Sequence, residues 1–125
     1  MRAYRRLALL FAVLLVGIIL AANLGLGMDF FLWFYSIPYA DKAGHFFLMG
    51  ILSLLISLGF TNTRVHFLRM LKTSLILCAV VTLEELSQIF IANRTSSLAD
   101  LSANYAGIIL FGEIGAALQK TIKER

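Results

Sequence analysis

The sequence predicts an all-α polytopic membrane protein, a bundle of four transmembrane helices, and three observations carry that prediction. Hydrophobic residues make up 60% of the chain and charged residues only 14%, against about 25% charged in a soluble domain. Segments 7–28, 43–63, 73–93 and 101–119 are free of charge or nearly so. Each is long enough to cross a hydrocarbon core of about 30 Å at about 1.5 Å per helical residue. Third, nine of the eleven Lys and Arg residues fall on one side once four spans alternate in direction. Helices satisfy every backbone N–H and C=O without water, so they are expected over open strands. At 125 residues the chain is one domain, 1–125.

The first span follows Arg2, Arg5 and Arg6. A signal peptide has the same flank, but 22 uncharged residues is long for its apolar region and Leu20-Ala21-Ala22 is a poor cleavage site, so a retained helix is expected. Next comes "FFLWFYSIPY", an aromatic belt or short interfacial segment with Trp33, Tyr35 and Tyr39 at headgroup level. The second span has Asp41 and Lys42 at its mouth and only His45 inside. Arg64, Arg69 and Lys72 precede the third, which carries Glu84 and Glu85. The fourth carries Glu113 and is followed by Lys120, Lys123 and Arg125. Only Lys42 and Arg94 remain for the opposite side, which makes both termini cytoplasmic in a bacterial inner membrane. These flanks account for the pI near 9.6, and no basic groove interleaved with aromatics suggests nucleic acid.

Three spans bring polar groups toward the same outer half of the bilayer. Glu84 lies about 16 Å along a helix that starts at Thr73, Gln88 one turn further, and Arg94 emerges beyond. Asp41 and His45 are an i,i+4 pair, as are Asp100 and Asn104. Glu84, Gln88 and Glu85 share an arc of about 100°. A charge at the bilayer centre costs about 2.5–3.5 kcal/mol, so the glutamates should face inward and either meet a cation or hold a proton. Ala99, Ala103 and Gly107 form a small-residue stripe for close helix approach.

Local roles compete with a site. Asp41 suits an N-cap after Pro38, and Ser97-Leu98-Ala99-Asp100 matches a capping box. Lys42 suits an interfacial lysine that snorkels, and His45 a satisfied interior histidine. Arg94 suits a neutralising partner for at least one of Glu84 and Glu85, with Glu85 preferred, while Gln88 and Asn104 suit interhelical hydrogen bonding. Glu113 should reach water, and His66 should lie in a surface loop. Cys78 has no partner for a disulfide.

The blocks "DKAGHF" (Asp41, Lys42, His45, Phe46), "EELSQIF" (Glu85, Gln88, Phe90) and "RTSSLADLSANYAG" (Arg94, Asp100, Asn104, Gly107) resemble the VanZ-like family. This family of small membrane proteins is named for a protein associated with resistance to the glycopeptide teicoplanin. The resemblance covers about residues 41–112, with Asn93 standing where the family often has a glycine or another turn former. It implies a helical membrane protein of the cell envelope, with a link to glycopeptide resistance, and it implies no particular reaction.

Two function classes follow. The first is binding of an anionic, lipid-anchored envelope molecule, such as a lipid-linked cell-wall precursor, from the outer leaflet. Lys42, Arg94 and protonated His45 would meet its phosphate or carboxylate. Gln88 and Asn104 would fix the headgroup, and Asp41, Glu85 and Asp100 would balance charge or accept hydrogen bonds. The second is an intramembrane hydrolase in which Glu85 or Glu84 activates water and His45 acts as acid, base or metal ligand. The adjacent glutamates are similar to those of CAAX-type intramembrane proteases. That pattern, however, requires an arginine where this chain has Ile89, and histidines where it has Asp100 and Asn104. One helix-embedded histidine makes a thin metal cage, and Ser87, Ser102 and Cys78 form no nucleophile pair. Binding without cofactor or metal, with membrane lipids as partners, is therefore the favoured expectation. A polar cluster that only locks the helices is the third.

Overall fold

The computed structural model describes residues 2–60 and 66–123. It forms helices α1 (Arg2–Asn23), α2 (Met28–Ser36), α3 (Ala40–Phe60), α4 (His66–Ser87) and α5 (Leu98–Lys123), with a 3₁₀ turn at Gln88–Phe90 continuing α4. No strand occurs among the described residues. Four segments are long and apolar enough to cross a membrane: Arg2–Asn23, Ala40–Phe60, Met70–Phe90 and Leu98–Ile122. The expected fold class is therefore the observed one, and the chain is a multi-pass membrane protein. His66 opens α4 instead of lying in a loop. Arg64 and Arg125, which contribute to the charge asymmetry, lie outside the described residues.

The aromatic segment becomes α2, entered through Gly25 and Gly27 at φ of 69° and 68°, conformations that glycine reaches without a Cβ penalty. Phe30, Leu32, Trp33 and Tyr35 are exposed on it. Pro38 and Tyr39 then turn the chain into α3. Ala40 N–H donates to Ile37 O at 3.2 Å, and Tyr39 takes φ of 61°. That is the pattern of a type II turn, with proline second and a positive φ third.

On α1 only Ala8, Leu15 and Ala22 are buried, at intervals of seven, so a single stripe packs inward. Leu9, Leu10, Val13 and Leu14 are left exposed, as lipid contact requires. Antiparallel to α3, α1 is held where Arg5 Nε donates to Gly59 O at 2.7 Å and the guanidinium lies 5.2 Å from the Phe60 ring centroid. Helices α3 and α5 run parallel and make the main interface. Ser53 Oγ donates to Ile108 O at 2.8 Å, and Gln119 Nε2 to Leu58 O at 3.4 Å. A Cβ at Gly107 would lie 2.1 Å from Phe46 O, so only glycine permits this crossing. The expected stripe is corrected here: Ala99 is exposed, and the α5 contact face runs through Asp100, Asn104, Gly107, Ile108 and Gly115. Eight residues rotate a helix by about 80°, which carries Ala99 off the face centred on Gly107.

α4 leans antiparallel on α5, where the Thr82 and Tyr105 hydroxyls bond to each other. Leu15, Leu52, Leu77, Val81 and Ile108 join all four long helices in one core. Nevertheless α1 and α4 scarcely touch each other. With α3 behind them, they leave a gap along the side of the bundle.

Candidate functional site

At one end of the bundle α3 and α5 begin while α1 and α4 finish, so their terminal polar residues meet. Because α3 starts at Ala40, Asp41 belongs to its first turn and not to the N-cap position. The Asp41 carboxylate accepts from Lys42 Nζ at 2.7 Å, and the same ammonium reaches Asp100 Oδ1 on α5 at 3.2 Å. The other Asp100 oxygen lies 3.9 Å from His45 Nε2, and His45 Nδ1 lies 3.2 Å from Asn104 Oδ1. A chain Asp41–Lys42–Asp100–His45–Asn104 thus ties α3 to α5. Asp100 and Asn104 are buried, and both aspartates sit in first turns, where the helix dipole favours a carboxylate.

The capping box forms with one partner exchanged. Ser97 Oγ accepts from Asp100 N–H at 3.4 Å, which makes Ser97 the cap of α5. In the standard arrangement the acid three residues on would accept the cap's own N–H. Instead Ser97 N–H donates at 2.6 Å to Glu85 Oε1 on α4, which leaves the Asp100 carboxylate for Lys42 and His45. Glu85 is 3% exposed and also lies 3.5 Å from Gln88 Nε2. Its position is that of a clamp between α4 and the start of α5.

Arg94 does neutralise one of the two glutamates, and it is Glu84, not the preferred Glu85. The α-helix gives way to its 3₁₀ turn after Ser87 and the helical run ends at Phe90, ahead of Asn93, which lets the chain fold back. Arg94 then approaches Glu84, with Nη2 3.5 Å from Oε1, while Nη1 donates to Asn23 Oδ1 at 2.9 Å. Gln88 Nε2 donates to both Glu84 oxygens at 2.9 Å. One residue along a helix is about 100° of rotation, so Glu84 faces the side gap while Glu85 is covered by α5.

Two cavities meet here. An apolar groove of about 310 Å³ runs between α1, α3 and α4, walled by side chains such as Val16, Leu48 and Val80, and reaches Glu84 and Asn104. A polar pocket of about 290 Å³ is bounded by Gln88, Asn93, Thr95 and Asp100. Tyr35, Asp41, His45 and Arg94 border both cavities, which are therefore neighbours. Of the expected residues, Asp41, His45, Gln88, Arg94, Asp100 and Asn104 line a cavity, Lys42 stands beside it, and Glu85 lies behind the wall. Among the described residues, no group of three or more His, Cys, Asp or Glu side chains could hold a metal ion.

Sequence reasoning missed Asn23, Ser97 as an anchor for Glu85, and Tyr35 as a cavity wall. Asn23 had a visible signal, being the lone amide at the end of an apolar run. Glu113 is exposed on the far half of α5 and takes no part. Neither family models, nor curated proteins, nor solved structures give a match to this chain, so the VanZ-like resemblance rests on its three motif blocks.

Proposed function

We propose that this protein binds a phosphate-bearing lipid of the bacterial cell envelope, with the chain in the groove and the head in the polar pocket. In this reading both termini are cytoplasmic, the site opens to the outer leaflet, and the chain is a VanZ-like protein whose lipid is a lipid-linked cell-wall precursor or a related molecule. A link to glycopeptide resistance would follow from sequestering or presenting such a lipid. The observation that carries the proposal is that Tyr35, Asp41, His45 and Arg94 line both the apolar groove and the polar pocket. Both volumes lie near the lower end of the range for small-molecule sites, about 300–1,000 Å³. Arg94 has five N–H donors, and Glu84 and Asn23 leave some of them for a phosphate.

Native mass spectrometry of gently purified protein in a polar-lipid extract tests this. Wild type should retain a phosphate-bearing lipid, and Arg94→Ala should lose affinity by about ten- to hundredfold, as one charge-assisted hydrogen bond implies. Arg94→Lys keeps the charge without the planar fork and should bind between the two. Equal retention by wild type, Arg94→Ala and Lys42→Ala would leave the cluster as helix-packing glue. The hydrolase reading has one observation in its favour, since Glu84 and His45 both border the groove. It requires Glu84→Gln to abolish turnover of a lipid or peptide while its retention is intact.

A further inference from the structure

Building on that lipid-binding reading, we infer that the groove takes a single acyl chain, entering sideways between α1 and α4, and that the head joined to it is zwitterionic, with an ammonium group beside its phosphate. The single chain follows from size. A cavity of about 150 Å³ accommodates one benzene ring, and this groove, at about 310 Å³, has roughly twice that room. That is room for about a dozen carbons, the length of one chain lying along the groove. Sideways entry follows from packing, because α1 and α4 both border the groove yet scarcely touch. A polar bridge between them runs from Asn23 through Arg94 to Glu84, beside the residues shared by the two cavities, where the head would rest.

The ammonium follows from charge complementarity across the pocket. Four carboxylates gather at this end, on Asp41, Glu84, Glu85 and Asp100, against two permanent cations, Lys42 and Arg94. Both cations are already engaged by carboxylates. The starting turns of α3 and α5 contribute about half a positive charge each and the finishing turns of α1 and α4 about half a negative charge each, so the formal excess of two negative charges is not offset by the helix ends. A head with only a phosphate would deepen the excess. A head that adds an amine places its phosphate near Arg94 and its ammonium near Asp41 or Asp100, which border the polar pocket. The net-anionic ligand expected from sequence thereby becomes a zwitterion that retains the phosphate.

The test is competition, by native mass spectrometry in detergent, between lysophosphatidylethanolamine and lysophosphatidylglycerol of one chain length. Wild type should prefer the ethanolamine lipid about tenfold, and Asp41→Asn should shrink that preference. Val16 and Val80 line the groove yet are exposed, so Val16→Trp and Val80→Trp can fill it without disturbing the packed core. Each should abolish binding of both lipids while thermal stability holds. Equal or stronger binding of the glycerol lipid, with the tryptophan variants still blocking it, overturns the zwitterion and leaves the lipid-binding reading standing. Undiminished binding by both tryptophan variants overturns the groove and that reading together, whereas no binding of either lysolipid by wild type overturns this inference and leaves that reading to its own retention test.

Discussion

Glu85 shows most clearly how a side chain that looks catalytic can be spoken for. Its oxygen takes the N–H of Ser97, so it caps a helix other than its own. Glu85→Ala should leave that half-buried N–H without its partner and cost about 1 kcal/mol, the lower end of the range for an unmade hydrogen bond. Glu85→Gln keeps an acceptor oxygen and should cost clearly less, a difference readable by thermal unfolding in detergent. Equal losses would contradict the capping role. For Arg94 the decisive comparison is between the two glutamates. Arg94→Ala leaves Glu84 with an unpaired charge near the bilayer interior, and Glu84→Gln should restore part of the lost stability. Combining Arg94→Ala with Glu85→Gln should be additive, and coupling there instead would restore the pairing suggested by the motif. All eight expected ligand residues gather at one end of the bundle because spans of alternating direction place their polar ends together. The partners within the cluster were not legible. The 100° between Glu84 and Glu85 decides them only once the end of the helical run at Phe90 is known, and an apolar run followed by polar residues does not mark that end.

Among the elements, charge-free runs located all four spans, because lipid allows few ionisable residues within a helix. Their ends were less legible. Helices α1 and α3 each begin several residues before the uncharged run, since Arg5, Arg6, Asp41 and Lys42 are compatible with a first turn. The aromatic segment reads as a belt or short interfacial segment, and most of it folds as helix α2. The α3–α5 crossing depends on Gly107, and Gly107→Ala should force the helices apart. A loss of about 1–3 kcal/mol or more is expected from overpacking, seen as reduced thermal stability. Gly17→Ala, with nothing within 4 Å of the added carbon, is the matched control and should be neutral or better. Similar losses in both would show that helical glycine as such, and not the close approach to Phe46, governs the effect.

For the molecule as a whole, the charge distribution proposes both ends in the cytoplasm and the site toward the outer leaflet. With Cys78 replaced, a cysteine at exposed Ser36 should label from outside and one at exposed Ala3 only from inside. The reverse pattern would move the site to the cytoplasmic leaflet without altering its internal geometry. The central claim is that the side gap between α1 and α4 holds a lipid bound through Arg94. Photo-crosslinking in native membranes tests it most directly, using a small diazirine amino acid at position 80, inside the groove, and at position 83, exposed on the same helix and outside the groove lining. Position 80 should yield one dominant phosphate-bearing lipid adduct that disappears with Arg94→Ala, while position 83 should yield the bulk lipid mixture whether or not Arg94 is present. The same bulk mixture at both positions, insensitive to Arg94→Ala, would contradict a lipid site in this groove.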